Sequence, residues 1–101
     1  ATMDPIFVEI VTSPNCVHSP KALRVAKKVI SKMKGTPVVM REVSISTEEG
    51  ARRAQEFEVQ ATPTIAINGR IAFVGVPTEE MMEDAIQETI ARLWDRDSYF
   101  F

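Results

Sequence analysis

The chain has 101 residues, 45% of them hydrophobic, and a formal net charge of −2, which is typical of a single folded domain and not of a disordered chain. The slightly acidic balance argues against nucleic acid or a membrane surface as a partner, and no apolar run reaches the ~18–20 residues of a membrane span. One cysteine excludes an internal disulfide, so a cytoplasmic location is expected.

The first predicted element is a strand from Ile6 to Val11, where only Glu9 interrupts an apolar run, and it is expected to be buried on both faces. Turn-forming residues end it, and apolar residues at three- and four-residue spacing then predict a helix over about residues 17–33. The other side of that helix is basic: Lys21, Arg24, Lys27, Lys28 and Lys32. Such a face is either solvated or contacts an acidic partner.

A second strand is predicted over Val38 to Val43. Ser46, with Glu49 three residues later, then resembles the start of a helix that ends near Glu58. Ile65 to Ile67 form the third predicted strand.

Asn68-Gly69 follows at once and favours the positive φ angles of a type I′ hairpin turn, so residues 71–74 are the antiparallel partner strand. Thr78 is the predicted cap of the last helix, whose apolar pattern breaks at residues 95–98. The element order is therefore β-α-β-α-β-β-α. Because the first two strands are joined by a helix, they must be parallel, and a four-stranded mixed sheet with helices on both faces is expected.

The only cysteine and the only histidine lie together in Ser13-Pro14-Asn15-Cys16-Val17-His18-Ser19-Pro20, between the first strand and the first helix. At a helix N-terminus, unpaired N–H groups and the helix dipole favour a thiolate, the attacking species in thiol–disulfide exchange. We therefore expect Cys16 to be reactive, with a pKa below the model-peptide value, and not a buried structural residue. His18 is either an exposed loop residue or an imidazole whose positive form stabilises the thiolate.

That segment, Ala61-Thr62-Pro63-Thr64 before the hairpin and Asn68-Gly69 within it together resemble the thioredoxin/glutaredoxin superfamily. The likeness covers roughly Ile6 to Trp94 and is strongest to the small glutaredoxin-like thioredoxins of microbes. It implies a thioredoxin fold and a thiol–disulfide oxidoreductase that serves electron transport and cell redox homeostasis. It also implies protein disulfide substrates, a disulfide reductase as partner, and no cofactor.

The resemblance also implies the site. Cys16 is the nucleophile, Pro63 is a cis-proline opposite it, and Thr62, Pro63 and Val17 bind the substrate, with the Thr62 backbone pairing with an extended segment. Ser19 occupies the position of the resolving cysteine, and a hydroxyl cannot attack a mixed disulfide. The chain is therefore a natural monothiol protein or carries a serine in place of a native cysteine, and its turnover is impaired.

Several features of relatives are missing, among them the loop lysine and the Gly-Gly-x-Asp of enzymes that use glutathione. Two other functions remain open: a non-catalytic module that binds a partner beside Cys16 and Pro63, and a monothiol glutaredoxin that shares an iron–sulfur cluster. No metal site within one chain is expected, because one cysteine and one histidine do not supply four ligands. A monomer is expected, with a Cys16-linked dimer on oxidation.

Overall fold

The computed structural model describes the backbone of residues 4–99 and the side chains of residues 4–93. Its elements follow the predicted order: β1 (Ile6–Thr12), α1 (Ser19–Lys32), β2 (Val38–Ser44), α2 (Glu48–Glu56), β3 (Thr64–Ile67), β4 (Arg70–Val74) and α3 (Glu79–Tyr99). The predicted α/β class is thereby confirmed.

The four strands form one sheet in the order β2-β1-β3-β4. β1 is parallel to β2 and antiparallel to β3, and β3 is antiparallel to β4, as expected from the helix and hairpin connections. Thr12 at the end of β1 pairs with Ser44 at the end of β2, and Thr64 at the start of β3 pairs with Val11. The two loops that carry the predicted site residues therefore meet at one edge of the sheet.

The main core lies between one face of the sheet and the helices α1 and α3. Alternate residues of β1 point into it, together with small residues of α1 and large ones of α3; the fully buried members include Ile6, Val8, Ile10, Ala22, Ala26, Met82 and Ile86. Burying one large apolar side chain stabilises the fold by about 1.5–3 kcal/mol. This core fixes α1, and with it the loop of Cys16, against the sheet.

The opposite face of the sheet carries α2, which is too short to cover all of it. The prediction that β1 is buried on both faces is therefore wrong at Phe7, which is 43% exposed. Where α2 does cover the sheet, Glu9 is buried and accepts hydrogen bonds from Nε and Nη2 of Arg53, at 3.0 and 2.9 Å. Bonds to Glu9 and to Glu56 raise the pKa of Arg53, and the pair ties α2 to the central strand.

The start of α2 differs from the prediction by one residue. Thr47 is the cap, and its Oγ1 accepts a hydrogen bond from the Gly50 N–H at 2.9 Å. The hydroxyl of Ser46 instead lies 2.7 Å from that of Ser44. Ser46 and Thr47 are both favourable cap residues, although only Ser46 has a glutamate three positions later, and the contact with the end of β2 decides between them.

The start of α3 agrees with the prediction, because Thr78 Oγ1 accepts from the Met81 N–H at 3.1 Å. Its predicted end is wrong: the helix continues through residues 95–98 to Tyr99, since aspartate and serine are weak helix formers and not helix breakers. The expected packing of Trp94 and of residues 99–101 lies outside the described side chains. No helix within residues 4–99 combines the length and apolar character needed to cross a membrane.

Candidate functional site

Cys16 lies in the loop between β1 and α1, three residues before the helix begins. Its N–H donates to the Ser13 carbonyl at 3.1 Å, and its own carbonyl accepts from the Ser19 N–H at 3.3 Å. These two turns carry the chain from the sheet edge into the helix. They leave the cysteine half-buried, with its thiol free of any disulfide.

The Thr62–Pro63 segment faces Cys16 from the start of β3. The peptide bond between these residues is cis, as the resemblance implies. The Cys16 thiol donates to the Thr62 carbonyl, with 3.2 Å between Sγ and oxygen, across 46 positions of sequence. Pro63 is buried, and its carbonyl accepts from the Gly75 N–H at 2.8 Å, which fixes the segment to the end of β4.

Ser19 is the first residue of α1 and points inward, with only 3% of its surface exposed. Its Oγ accepts a hydrogen bond from the Ser13 N–H at 3.2 Å. Because that bond uses a lone pair, the hydroxyl proton remains available to the Cys16 sulfur. The position that the resemblance assigns to a resolving cysteine therefore lies on the protein side of Cys16.

A cavity of about 200 Å³ lies behind the loop and is lined by Cys16 and Ser19 among others. Two of its lining residues, Thr12 and Glu42, were not predicted from the sequence; the Thr12 hydroxyl donates to Glu42 Oε2 at 2.8 Å. The parallel pairing of β1 with β2 places this carboxylate opposite Ile10. Only that register brings Glu42 to the cysteine loop. The one feature of the sequence that could have indicated Glu42 was its position as a lone acid near the end of an apolar strand.

Hydrogen-bond donors lower the pKa of Cys16 from its ordinary value to about 7, the direction that the sequence predicted. The Ser19 hydroxyl contributes most, followed by the Thr62 side chain, with smaller contributions from the backbone N–H groups of His18 and Ser19. Partial desolvation raises the pKa, and the thiol's bond to the Thr62 carbonyl also opposes ionisation, because a carbonyl cannot donate to a thiolate. The largest causes are thus side-chain hydrogen bonds, whereas the sequence had suggested unpaired backbone N–H groups and the helix dipole; of these, the backbone N–H groups make a smaller contribution.

Ser19→Ala should raise the pKa of Cys16 toward its ordinary value, because it removes the largest stabilising donor. The rate of iodoacetamide alkylation at pH 7 should then fall by roughly threefold to fivefold, since only the thiolate reacts. His18→Ala is the matched control: it keeps the backbone N–H that acts on the sulfur and should leave the alkylation rate nearly unchanged. Thiolate absorbance against pH gives both pKa values, and an unshifted Ser19→Ala curve would contradict this assignment.

The remaining predicted residues lie beside the sulfur on the solvent side. His18 is the N-cap of α1; it is exposed, and its side chain makes no capping hydrogen bond. Val17 is 83% exposed, so a substrate that reaches Cys16 also meets this apolar side chain. The structure therefore brings five of the predicted residues around Cys16, from the solvent side or from the interior: Val17, His18, Ser19, Thr62 and Pro63.

A larger cleft, of about 750 Å³, lies elsewhere, between α2 and β2. Its lining contains the Glu9–Arg53 pair and several other charged residues but neither Cys16 nor His18. Among the described residues, no three metal-ligating side chains cluster closely enough to hold a metal ion. The smaller cavity is therefore the candidate site, because Cys16 lines it.

Comparisons with known proteins agree with this geometry. Residues 7–87 match the family model described as "Thioredoxin domain". The chain is 36% identical over 88 residues to a thioredoxin of Methanocaldococcus jannaschii, covering 87% of this chain and 100% of that protein. It is 31% identical over 83 residues to a probable thioredoxin of Archaeoglobus fulgidus, covering 82% and 88%.

Two solved structures are similar in fold. A protein disulfide oxidoreductase from Aeropyrum pernix superposes with a TM-score of 0.73 at 30% identity, over 86% of this chain and 38% of that one. Mitochondrial thioredoxin 3 from Saccharomyces cerevisiae superposes with a TM-score of 0.66 at 20% identity, over 82% and 77%. The predicted mixed sheet with helices on both faces is the architecture of these structures.

Proposed function

The chain belongs to the thioredoxin family and is a thiol–disulfide oxidoreductase, and from that premise we propose that Cys16 is its nucleophile. The observation that carries the proposal is the 3.2 Å contact between Cys16 Sγ and the Thr62 carbonyl. It puts a half-exposed sulfur, with a pKa of about 7, against a backbone segment of another loop. About half of the sulfur is therefore thiolate at neutral pH.

In the proposed reaction, the Cys16 thiolate attacks one sulfur of a protein disulfide. A new disulfide bond joins Cys16 to the substrate, and the second substrate sulfur leaves as a thiolate. Ionisation of Cys16 also frees the Thr62 carbonyl, which then accepts an N–H from the substrate backbone beside the disulfide. Thr62, Pro63 and Val17 thus form the substrate-binding surface.

The reaction stops at this mixed disulfide. Ser19 lies where a resolving thiol would attack, but its hydroxyl forms no disulfide. A first external thiolate must therefore attack Cys16 Sγ and release the substrate as a thiolate. A second external thiolate, or the other thiol of the same dithiol, then attacks the resulting bond, which restores the Cys16 thiolate and leaves the external sulfurs joined in a disulfide. A disulfide reductase as partner, a monomeric state with a Cys16-linked dimer on oxidation, and a cytoplasmic location remain predictions from the sequence.

Trapping the mixed disulfide tests the proposal. Incubation with insulin whose disulfides are intact should give a covalent 1:1 adduct through Cys16. The adduct is detected by mass spectrometry under non-reducing conditions and is reversed by dithiothreitol. Its rate of formation should rise with pH, reach half of its limiting value near pH 7 and level off about one pH unit higher, because the attacking species is the thiolate. Cys16→Ser should form no adduct. Absence of an adduct with the unmodified chain would instead favour the non-catalytic binding module.

A further inference from the structure

Charge is strongly segregated along this sequence. Between Ile10 and Arg41 there is no aspartate or glutamate, while seven of the twelve lysine and arginine residues lie there. All fourteen acidic residues lie outside that segment, which contains the loop of Cys16 and the whole of α1. The net charge of −2 therefore conceals one segment whose charged residues are all basic.

Part of this positive charge is unpaired and adjoins the cysteine. Lys28 and Lys32 both bind the Glu79 carboxylate of α3, at 3.1 and 3.2 Å, toward the far end of α1. Lys21, Arg24 and Lys27 form no ion pair within residues 4–93 and are exposed. We call these three residues the basic face of α1; it begins in the first turn of the helix, next to the Cys16 loop.

The charged residues on the other face of the sheet are of both signs. Glu42 lines the cavity that Cys16 and Ser19 share. Glu48 and Glu49, in the first turn of α2, have side chains that are 92% and 86% exposed. Their carboxylates lie 3.7 and 3.9 Å from the guanidinium groups of Arg52 and Arg41, respectively. Because α1 and α2 lie on opposite faces of the sheet, the sheet separates the unpaired positive charge of α1 from these mixed, ion-paired charges.

We propose that the basic face of α1 selects disulfide partners whose redox cysteines lie beside acidic residues. The inference rests on Cys16 being the nucleophile and adds the class of partner that reaches it. Opposite charges raise the rate of encounter and orient the two surfaces before the sulfurs meet. The partner is a protein and not a nucleic acid, because the reaction at Cys16 requires a disulfide.

Three disulfide-bridged peptides test the proposal. They share one sequence and differ only in two residues beside the cysteine, which are Glu, Gln or Lys. At low salt, the acidic peptide should form the Cys16 mixed disulfide about tenfold faster than the neutral one, and the basic peptide more slowly still. In 1 M NaCl, where the screening length is about 3 Å, the three rates should converge.

Two double variants locate the effect. Lys21→Gln/Arg24→Gln should lose most of the preference for the acidic peptide. Lys32→Gln/Lys34→Gln removes the same charge about 16 Å farther along the helix axis and should keep the preference. The ratio of acidic to neutral rates is the readout, because a change in the pKa of Cys16 affects both peptides equally.

The outcomes separate the two proposals. Equal rates for the acidic and neutral peptides, or equal losses in the two double variants, would overturn selection by the basic face and leave Cys16 as nucleophile. No reaction of any peptide with Cys16 would show that the proposed function itself is wrong.

Discussion

Ser19→Cys is expected to raise the rate of insulin reduction by dithiothreitol at least about tenfold over the unmodified chain, because it supplies the thiol that resolves the mixed disulfide. Ser19 is 3% exposed and shares its cavity with Cys16. Sulfur is larger than oxygen, but the cavity of about 200 Å³ beside Ser19 gives the new thiol room on the protein side of Cys16. It attacks Cys16 Sγ and releases the reduced substrate. The new internal disulfide is then reduced by dithiothreitol.

The double variant Cys16→Ser/Ser19→Cys is the matched control, since it keeps one thiol but places it behind the site. It should remain at the background rate of dithiothreitol alone. After oxidation, Ser19→Cys should weigh two hydrogens less than its reduced form, and the unmodified chain should show no such loss. If Ser19→Cys reduces insulin no faster than the unmodified chain, the assignment of residues 16 and 19 as a redox pair is wrong.

The sequence indicated where the chemistry would lie better than it indicated why the sulfur is acidic. Cys16 and Pro63 are identified by motif, and the alternation of apolar residues orders the elements, so their approach at one sheet edge was predictable. The hydroxyl groups that lower the pKa of Cys16 act through side-chain positions in the folded loop. Helical spacing does not determine these side-chain positions, because Cys16 lies in the loop, three residues before the helix begins.

Contacts between elements account for the other differences. Glu42 reaches the cavity only because β2 pairs with β1 in one register. Phe7 is exposed because nine residues of α2 cannot cover a four-stranded sheet. The first outcome depends on the register between two strands, and the second on how much of the sheet one helix covers. A pattern within a single element therefore could not predict them.

Gly50→Ala is expected to destabilise the fold by about 3–5 kcal/mol, because no room exists for a methyl group where α2 meets β2. A Cβ at this position would lie 1.8 Å from the Ser44 carbonyl oxygen and 2.7 Å from Thr47 Oγ1. That carbonyl cannot turn away freely, since it accepts bonds from both the N–H and the hydroxyl of Thr47, at 3.2 and 2.9 Å.

The clash can be relieved only by moving α2 away from the end of β2. Ser44 also lines the cavity behind Cys16, so this movement should reach the active site. Urea unfolding measures the loss of stability, with Gln55→Ala on the exposed side of α2 as control, expected within about 0.5 kcal/mol of the unmodified chain. Equal urea midpoints for Gly50→Ala and Gln55→Ala would show that α2 is not seated on Ser44 in solution.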